Sequence, residues 1–73
     1  MRITAENVEK VFSYHAPDED QIKKYAAIRA QAKDFARTIL EVVPECADRS
    51  VALRKLRECV MDVNAAIALD GEI

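Results

Sequence analysis

The sequence has few of the residues that build disulfide frameworks, metal centres or turn-rich folds. It contains two Cys, one His, one Gly, two Pro and no Trp. Cys46 and Cys59 are too few for a disulfide framework and lack Cys-x-x-Cys spacing. Together with a single histidine they do not supply the four ligands of a structural metal site, so we predict no metal and no cofactor. We interpret both cysteines as small apolar thiols of a reducing compartment.

The chain also lacks a basic excess and a long apolar run. Its formal net charge is -2 and its pI is about 5.3, which argues against a general binder of DNA or RNA. No apolar run approaches the ~20 residues that span a bilayer, and no signal-peptide pattern opens the sequence. We therefore expect a cytoplasmic protein with no membrane or nucleic-acid partner.

The chain has little glycine and few stretches in which apolar and polar residues alternate as in a β-strand, and this predicts an all-α fold. We predict a single domain over residues 1–73, in which a short N-terminal helix is followed by a long antiparallel helical hairpin. The helices are expected at about residues 4–11, 17–43 and 50–69. Their expected starts are Thr4 as N-cap, Pro17 as first helical residue, and Ser50 or Asp48 as N-cap.

Each long helix carries an apolar seam at three- and four-residue steps. In the second helix the predicted seam consists of Ile22, Tyr25, Ile28, Ala32, Phe35, Ile39 and Val42. In the third helix it consists of Leu53, Leu56, Val60, Val63 and Ile67. Two helices leave apolar flanks such as Leu40, Val43 and Met61 uncovered, so another copy or another protein is needed to cover them. We expect a helical homo-oligomer.

A stripe of cations runs along the second helix at four-residue steps, formed after Tyr25 by Arg29, Lys33 and Arg37. From Lys23 to Arg37 there are five Lys and Arg residues and one acid, a local charge of +4 in a chain that is net acidic. Cations one turn apart repel each other, and an anionic ligand would relieve that repulsion.

The alternative is a solvated or salt-bridged helix face, which is common on protein surfaces. In that case Arg37 pairs with Glu41, and Arg29 or Lys33 meets an acid of the third helix, Glu58 or Asp62.

The segment before the second helix contains Tyr14 and His15. A tyrosine ring at a helix junction either packs into the core and holds the two helices together or stacks on a purine. His15 either donates to a phosphate or caps the following helix.

Two motifs in this region carry a family resemblance. F-x-Y-H-x-P at residues 12–17 and Q-x-x-x-Y-x-x-I-R-x-x-A-K at residues 21–33 resemble the hairpin domain of the phage anti-CBASS and anti-Thoeris sponge proteins. The second half of that domain is similar to Pro44, S-V-A-L at residues 50–53, Leu56, V-M at residues 60–61 and N-A-A-I-A at residues 64–68. The resemblance covers roughly residues 12–69.

The resemblance implies a binding site for a cyclic dinucleotide such as 3′,3′-cGAMP at a dimer interface. Tyr14 would stack on the adenine, and a cation of the long helix would clamp the ligand, Arg29 in the first place and Lys33 in the second. With His15, these residues form the expected ligand site. The resemblance also implies compact hexamers of interlocked dimers in the host bacterial cytoplasm.

One position departs from the family pattern. Family members often end the last helix with N-A-A-I-A-R, whereas this chain has Leu69 in place of the arginine. The family is reported to bind cyclic trinucleotides at a separate site to which such an arginine contributes. Leu69 puts that second activity in doubt.

The predicted function is sequestration without chemistry. The only histidine has no nearby cysteine, and Ser13 has no visible third catalytic partner, so we predict that the protein is not an enzyme. It would hold cyclic dinucleotide immune signals intact and so block activation of the CBASS effector. The alternative is a small helical protein–protein interaction module with no nucleotide ligand.

Overall fold

A computed structural model of the protein describes residues 2–71 and has three helices, with no β-strand in that range. They are α1 (Val8–Phe12), α2 (Glu19–Val42) and α3 (Ala47–Ala68). Helices α2 and α3 pack antiparallel, so the start of α2 lies beside the end of α3. The predicted all-α hairpin is confirmed.

Helix α1 is shorter than predicted, because Thr4 forms a turn instead of an N-cap. The N-cap of α1 is Asn7. The Asn7 side chain accepts a hydrogen bond from the Thr4 backbone N–H at 2.8 Å and donates one to the Arg2 carbonyl at 2.9 Å. Such side-chain bonds to nearby backbone compete with helix formation. Residues 4–7 therefore lie outside the helix.

Helix α2 begins with a capping box centred on Asp18 and Gln21. Asp18 Oδ1 accepts from the Gln21 backbone N–H at 2.8 Å, and Gln21 Oε1 accepts from the Asp18 backbone N–H at 3.1 Å. Pro17 therefore precedes the N-cap and is not the first helical residue, contrary to the prediction. Gln21 Nε2 also donates to the Ile67 carbonyl at 3.0 Å, which ties the start of α2 to the last turn of α3.

We expect Gln21→Ala to lower the free energy of unfolding by about 1–2 kcal/mol, because it removes half of the capping box and an interhelical hydrogen bond. Gln21→Glu is the matched control, since its carboxylate still accepts from the Asp18 N–H but cannot donate to the Ile67 carbonyl. Urea unfolding followed by circular dichroism measures both changes. Equal stability of wild type and Gln21→Ala would contradict the structural role of this side chain.

Helix α3 begins at Ala47, earlier than predicted, and its N-cap is Cys46 rather than Ser50 or Asp48. Cys46 Sγ accepts from the Arg49 backbone N–H at 3.4 Å. Arg49 Nη1 in turn donates to the Val43 carbonyl at 3.3 Å. These contacts order the short connection between α2 and α3.

The end of α3 adopts a left-handed turn. Asp70 has φ 51° and Gly71 has φ 71°, and the Gly71 N–H donates to the Ala66 carbonyl at 3.0 Å. Glycine has no Cβ to clash in this region, so it stops a helix at low cost.

The predicted seam of α3 is half-buried at all five positions, as expected, but the seam of α2 is only partly right. Ile22, Phe35 and Val42 are exposed, at 53%, 58% and 71%. The inner positions that replace them are Gln21, Ala36 and Val43. The half-buried positions of α2 recur every ~3.6 residues, as on one face of a straight helix. The predicted seam has a shorter average spacing, so its later residues lie progressively further around the helix, away from α3.

The hairpin leaves most of its apolar surface uncovered. Leu69 is the one buried hydrophobic residue among those described, at 6% exposure. The radius of gyration is 15.3 Å, against ~11 Å expected for a compact chain of this length. No Cα of α1 lies within 8 Å of a Cα of α2 or α3. In the described chain α2 and α3 therefore form an open hairpin, and the backbone of α1 does not closely approach either of them.

Candidate functional site

The segment between α1 and α2 is held by two side-chain bonds to the end of α1. Ser13 Oγ donates to the Glu9 carbonyl, and the His15 ring nitrogen Nε2 lies 2.6 Å from the Lys10 carbonyl. A carbonyl only accepts, so Nε2 carries the proton. The last carbonyls of a helix lack intrahelical donors, and these two side chains supply them. His15 thus caps the end of α1 and not the start of α2, whose N-cap is Asp18, so of its two alternatives the cap of α2 is excluded.

Tyr14 lies between these two anchored residues and is 87% exposed. The ring is not packed into a core at the helix junction, so that alternative is excluded for the single chain. The side chains of both neighbouring residues are hydrogen-bonded to α1, and the ring of Tyr14 is exposed to solvent. An exposed aromatic ring is suited to stacking on a flat partner such as a nucleobase.

Arg29 and Lys33 are both exposed on α2, one turn apart. Within residues 2–71 neither forms an ion pair, so the alternative in which one of them pairs with an acid of α3 does not occur there. Arg37 does have a partner, with Nη1 3.4 Å from Asp34 Oδ1 rather than near Glu41. Two cations of the stripe therefore remain without a neutralising acid among the described residues.

Another cation of α2 is neutralised close to the start of the helix. Lys24 Nζ lies 3.2 Å from Asp20 Oδ2. This hydrogen bond, with the charge of the same carboxylate, raises the pKa of Lys24. Among the described residues, Lys23, Arg29 and Lys33 are then the cations of this stretch without an ion pair, and only Arg29 and Lys33 belong to the stripe.

The predicted site residues fall into two separate groups along the chain. Tyr14 and His15 precede α2, whereas Arg29 and Lys33 lie ~15 and ~21 Å along the helix axis from Glu19. Tyr14 is not among the residues that line three grooves formed by the described parts of α2 and α3. The aromatic ring and the two cations therefore lie at different positions along the length of the hairpin.

An apolar groove with a volume of about 520 Å³ opens on one face of the hairpin. Its outer walls are formed by Phe35 and Thr38 of α2 and by Cys59 and Val63 of α3. Phe35 and Thr38 also line a second groove that continues the same face towards the helix connection. We call this surface the apolar groove.

A smaller groove opens on the other face, and we call it the cationic groove. Its lining includes Ala32, Lys33 and Ala36 of α2 and Leu53, Leu56 and Arg57 of α3. Arg57 lies outside the sequence motifs of residues 12–33 and outside the cationic stripe of α2, so the sequence alone did not point to it. Only the register between the helices places it in one groove with Lys33.

Two residues near the end of α3 complete the description. Asn64 Oδ1 is buried and has no hydrogen-bond partner among the described residues. Leu69 is buried against the hairpin, so an apolar core side chain occupies the position where the resembling family often has arginine.

The described residues, 2–71, contain no group of three or more His, Cys, Asp or Glu side chains that could hold a metal ion. Cys46 and Cys59 are exposed free thiols. None of the helices in that range combines the length and the hydropathy needed to span a membrane.

Comparison with known proteins adds one match. The family model described as Acb2/Tad1, hairpin domain, matches residues 4–68, which is most of the chain. Comparisons with curated proteins and with solved structures find no match.

Proposed function

Since the chain belongs to the Acb2/Tad1 hairpin-domain family, as its motifs predicted, we propose that it sequesters cyclic dinucleotide immune signals such as 3′,3′-cGAMP and thereby blocks CBASS effector activation. Membership implies a cyclic oligonucleotide sponge rather than an enzyme. Sequestration needs binding without bond cleavage, so copy number and slow ligand release determine its potency.

The observation that carries this proposal is the exposed ring of Tyr14. It is 87% exposed although both neighbouring residues are anchored to the end of α1. A buried tyrosine would instead favour a structural role. In the proposed site Tyr14 stacks on a base, and Arg29 or Lys33 contacts a phosphate, since these two cations have no acid partner among the described residues.

His15 takes part in this site through the position of its ring. Nε2 is engaged with the Lys10 carbonyl, which fixes the segment that presents Tyr14. The other ring nitrogen, Nδ1, is then the atom that His15 offers to a ligand. We therefore keep His15 in the proposed site together with Tyr14, Arg29 and Lys33.

A homodimer supplies the geometry that one chain lacks. Tyr14 precedes α2 while Arg29 and Lys33 lie ~15–21 Å along it. A two-fold interface presents every residue twice, so Tyr14 of one copy can approach the cations of the other. Helix α1, which precedes Tyr14, has no Cα within 8 Å of α2 or α3, which favours this exchange. The sugar–phosphate ring of a 3′,3′-cyclic dinucleotide has matching two-fold symmetry, and in 3′,3′-cGAMP only the two bases differ.

Assembly is also favoured by the uncovered apolar surface. Leu69 is the one buried hydrophobic residue of the described range, while Phe35 and Val42 are 58% and 71% exposed. We propose that a second copy covers the apolar groove, within the hexamer of interlocked dimers that the family resemblance implies. A donor from another copy would also satisfy Asn64 Oδ1, whose unpaired burial costs about 1–3 kcal/mol.

The apolar groove also supports the second candidate, a helical interaction module. A groove with these walls accepts an amphipathic helix of another protein without any nucleotide. This alternative gives no role to the exposed, anchored Tyr14. Ligand binding separates the two functions.

Isothermal titration with 3′,3′-cGAMP, followed by chromatography of the recovered ligand, tests the proposal. We expect tight binding at about one ligand per two chains, because a two-fold interface encloses a two-fold ligand. The recovered ligand should be unaltered. Absence of binding to this and related cyclic dinucleotides would favour the interaction module, and a cleaved product would contradict sequestration.

A further inference from the structure

The cationic groove has a composition that suits one chemical group. Lys33 of α2 and Arg57 of α3 both line it, and its remaining walls are Ala32, Ala36 and apolar side chains of α3. No acid is among the residues that line it. Two like charges bordering one groove repel each other, and an anion placed between them reverses the sign of that interaction.

The acids of the described chain do not neutralise this pair. Neither Lys33 nor Arg57 forms an ion pair within residues 2–71. Asp34, the acid next to Lys33, lies within 3.4 Å of Arg37 and lines the apolar groove instead. Glu58, the acid next to Arg57, is exposed and is not part of the cationic groove. The positive charge at this position is therefore not balanced locally.

The two cations differ in a way that is useful for phosphate binding. The guanidinium of Arg57 presents a planar fork that matches two oxygens of a phosphate, whereas the ammonium of Lys33 acts as a point charge. The small side chains of Ala32 and Ala36 leave room for a group to approach the backbone of α2 closely. A phosphate with an apolar or flat body attached fits these three features together.

We propose that the cationic groove is a phosphate-binding site in which Arg57 is a ligand contact alongside Lys33. This deepens the proposed function and rests on it, since the phosphate would be a phosphodiester of the sequestered cyclic dinucleotide. The site then draws on both helices of the hairpin. Arg57 becomes a determinant of affinity that does not belong to the sequence motifs around residues 12–33.

Two probes test this inference, 3′,3′-cGAMP by isothermal titration and inorganic pyrophosphate by ¹H–¹⁵N chemical-shift mapping. Arg57→Gln should weaken binding of 3′,3′-cGAMP by about tenfold or more, because a charge-assisted contact is lost. The affinity of Arg57→Lys should lie between those of the wild type and Arg57→Gln, since lysine keeps the positive charge but lacks the planar guanidinium. Pyrophosphate should shift the amide signals of Ala32, Ala36 and Leu53 in the wild type and not in Arg57→Gln.

The matched control is Arg54→Gln, an exposed arginine of the same helix that does not line the groove. It should bind both probes as the wild type does. Equal losses in Arg54→Gln and Arg57→Gln would show a general charge effect and overturn the inference.

The outcomes separate this inference from the proposed function. If 3′,3′-cGAMP binds the wild type and Arg57→Gln equally well, the groove is not a ligand site, while sequestration stands. If pyrophosphate shifts the groove amides through Arg57 but no cyclic dinucleotide binds, the phosphate site stands and the proposed ligand is wrong. If the wild type binds neither probe, both are wrong.

Discussion

Tyr14→Ala is expected to cause the largest loss of affinity for 3′,3′-cGAMP of any single substitution in the proposed site. Stacking of an aromatic ring on a base contributes about 1–3 kcal/mol, and a two-fold site uses the ring of Tyr14 twice. The combined loss corresponds to a decrease in affinity of at least about thirtyfold. Isothermal titration measures it directly.

The structural cost of the same substitution should be small. Tyr14 is 87% exposed, so truncation removes little packing within the chain. Helix content by circular dichroism and mass by analytical ultracentrifugation should match the wild type. Tyr14→Phe serves as the control, because it keeps the ring and should keep most of the affinity. Loss of assembly in Tyr14→Ala would mean that this residue is structural and that the site assignment is wrong.

Phe35→Glu is expected to break up the oligomer and to unfold much of the hairpin at low protein concentration. Phe35 is 58% exposed and forms the wall shared by both parts of the apolar groove. Burying an unpaired carboxylate there costs several kcal/mol per copy, which exceeds what one aromatic side chain contributes to an interface. Helices of this length are marginal without tertiary packing, so dissociation and loss of helix should occur together.

Analytical ultracentrifugation and thermal unfolding at several protein concentrations measure this effect. The wild type should be oligomeric, with a midpoint of unfolding that rises with concentration. Ala30→Glu is the matched control, since Ala30 is exposed on the same helix and lines neither groove. A stable oligomer of Phe35→Glu would show that the second copy does not cover this groove.

Helix number and order were predictable because their signals are local. Pro44 stops α2, and the repeat from Leu53 to Ile67 survives in the structure as a half-buried face of α3. The helix starts were predicted less well, since the N-caps are Asn7, Asp18 and Cys46. Which side chain caps a helix depends on backbone geometry within a few residues, and several candidates of suitable type stand close together in this chain.

The seam of α2 shows a second limit of sequence reasoning. Phe35 and Val42 are apolar and fall near the required spacing, yet they are exposed while Ala36 and Val43 are half-buried. Several apolar choices exist at each turn of this helix, so composition alone does not select among them. The straight course of the helix beside α3 selects the positions that follow ~3.6 residues per turn.

The candidate site divides in the same way. Tyr14, His15, Arg29 and Lys33 came from motifs that are contiguous in the chain, and a family match over residues 4–68 agrees with those motifs. Arg57 came from the register of α3 against α2, which brings it into one groove with Lys33.

By itself, the sequence determined that this chain is helical, that its long helices form a hairpin, and that it belongs to a family of cyclic oligonucleotide sponges. The spacing of apolar residues, the residues that end helices and the short motifs all depend on residues close together in the chain, so they can be recognised from the sequence alone. Only the tertiary structure decided which apolar residues are exposed, that Tyr14 is among them, and which cations line the same groove. These depend on how residues distant in sequence meet, which the rotation and register of α2 against α3 determine.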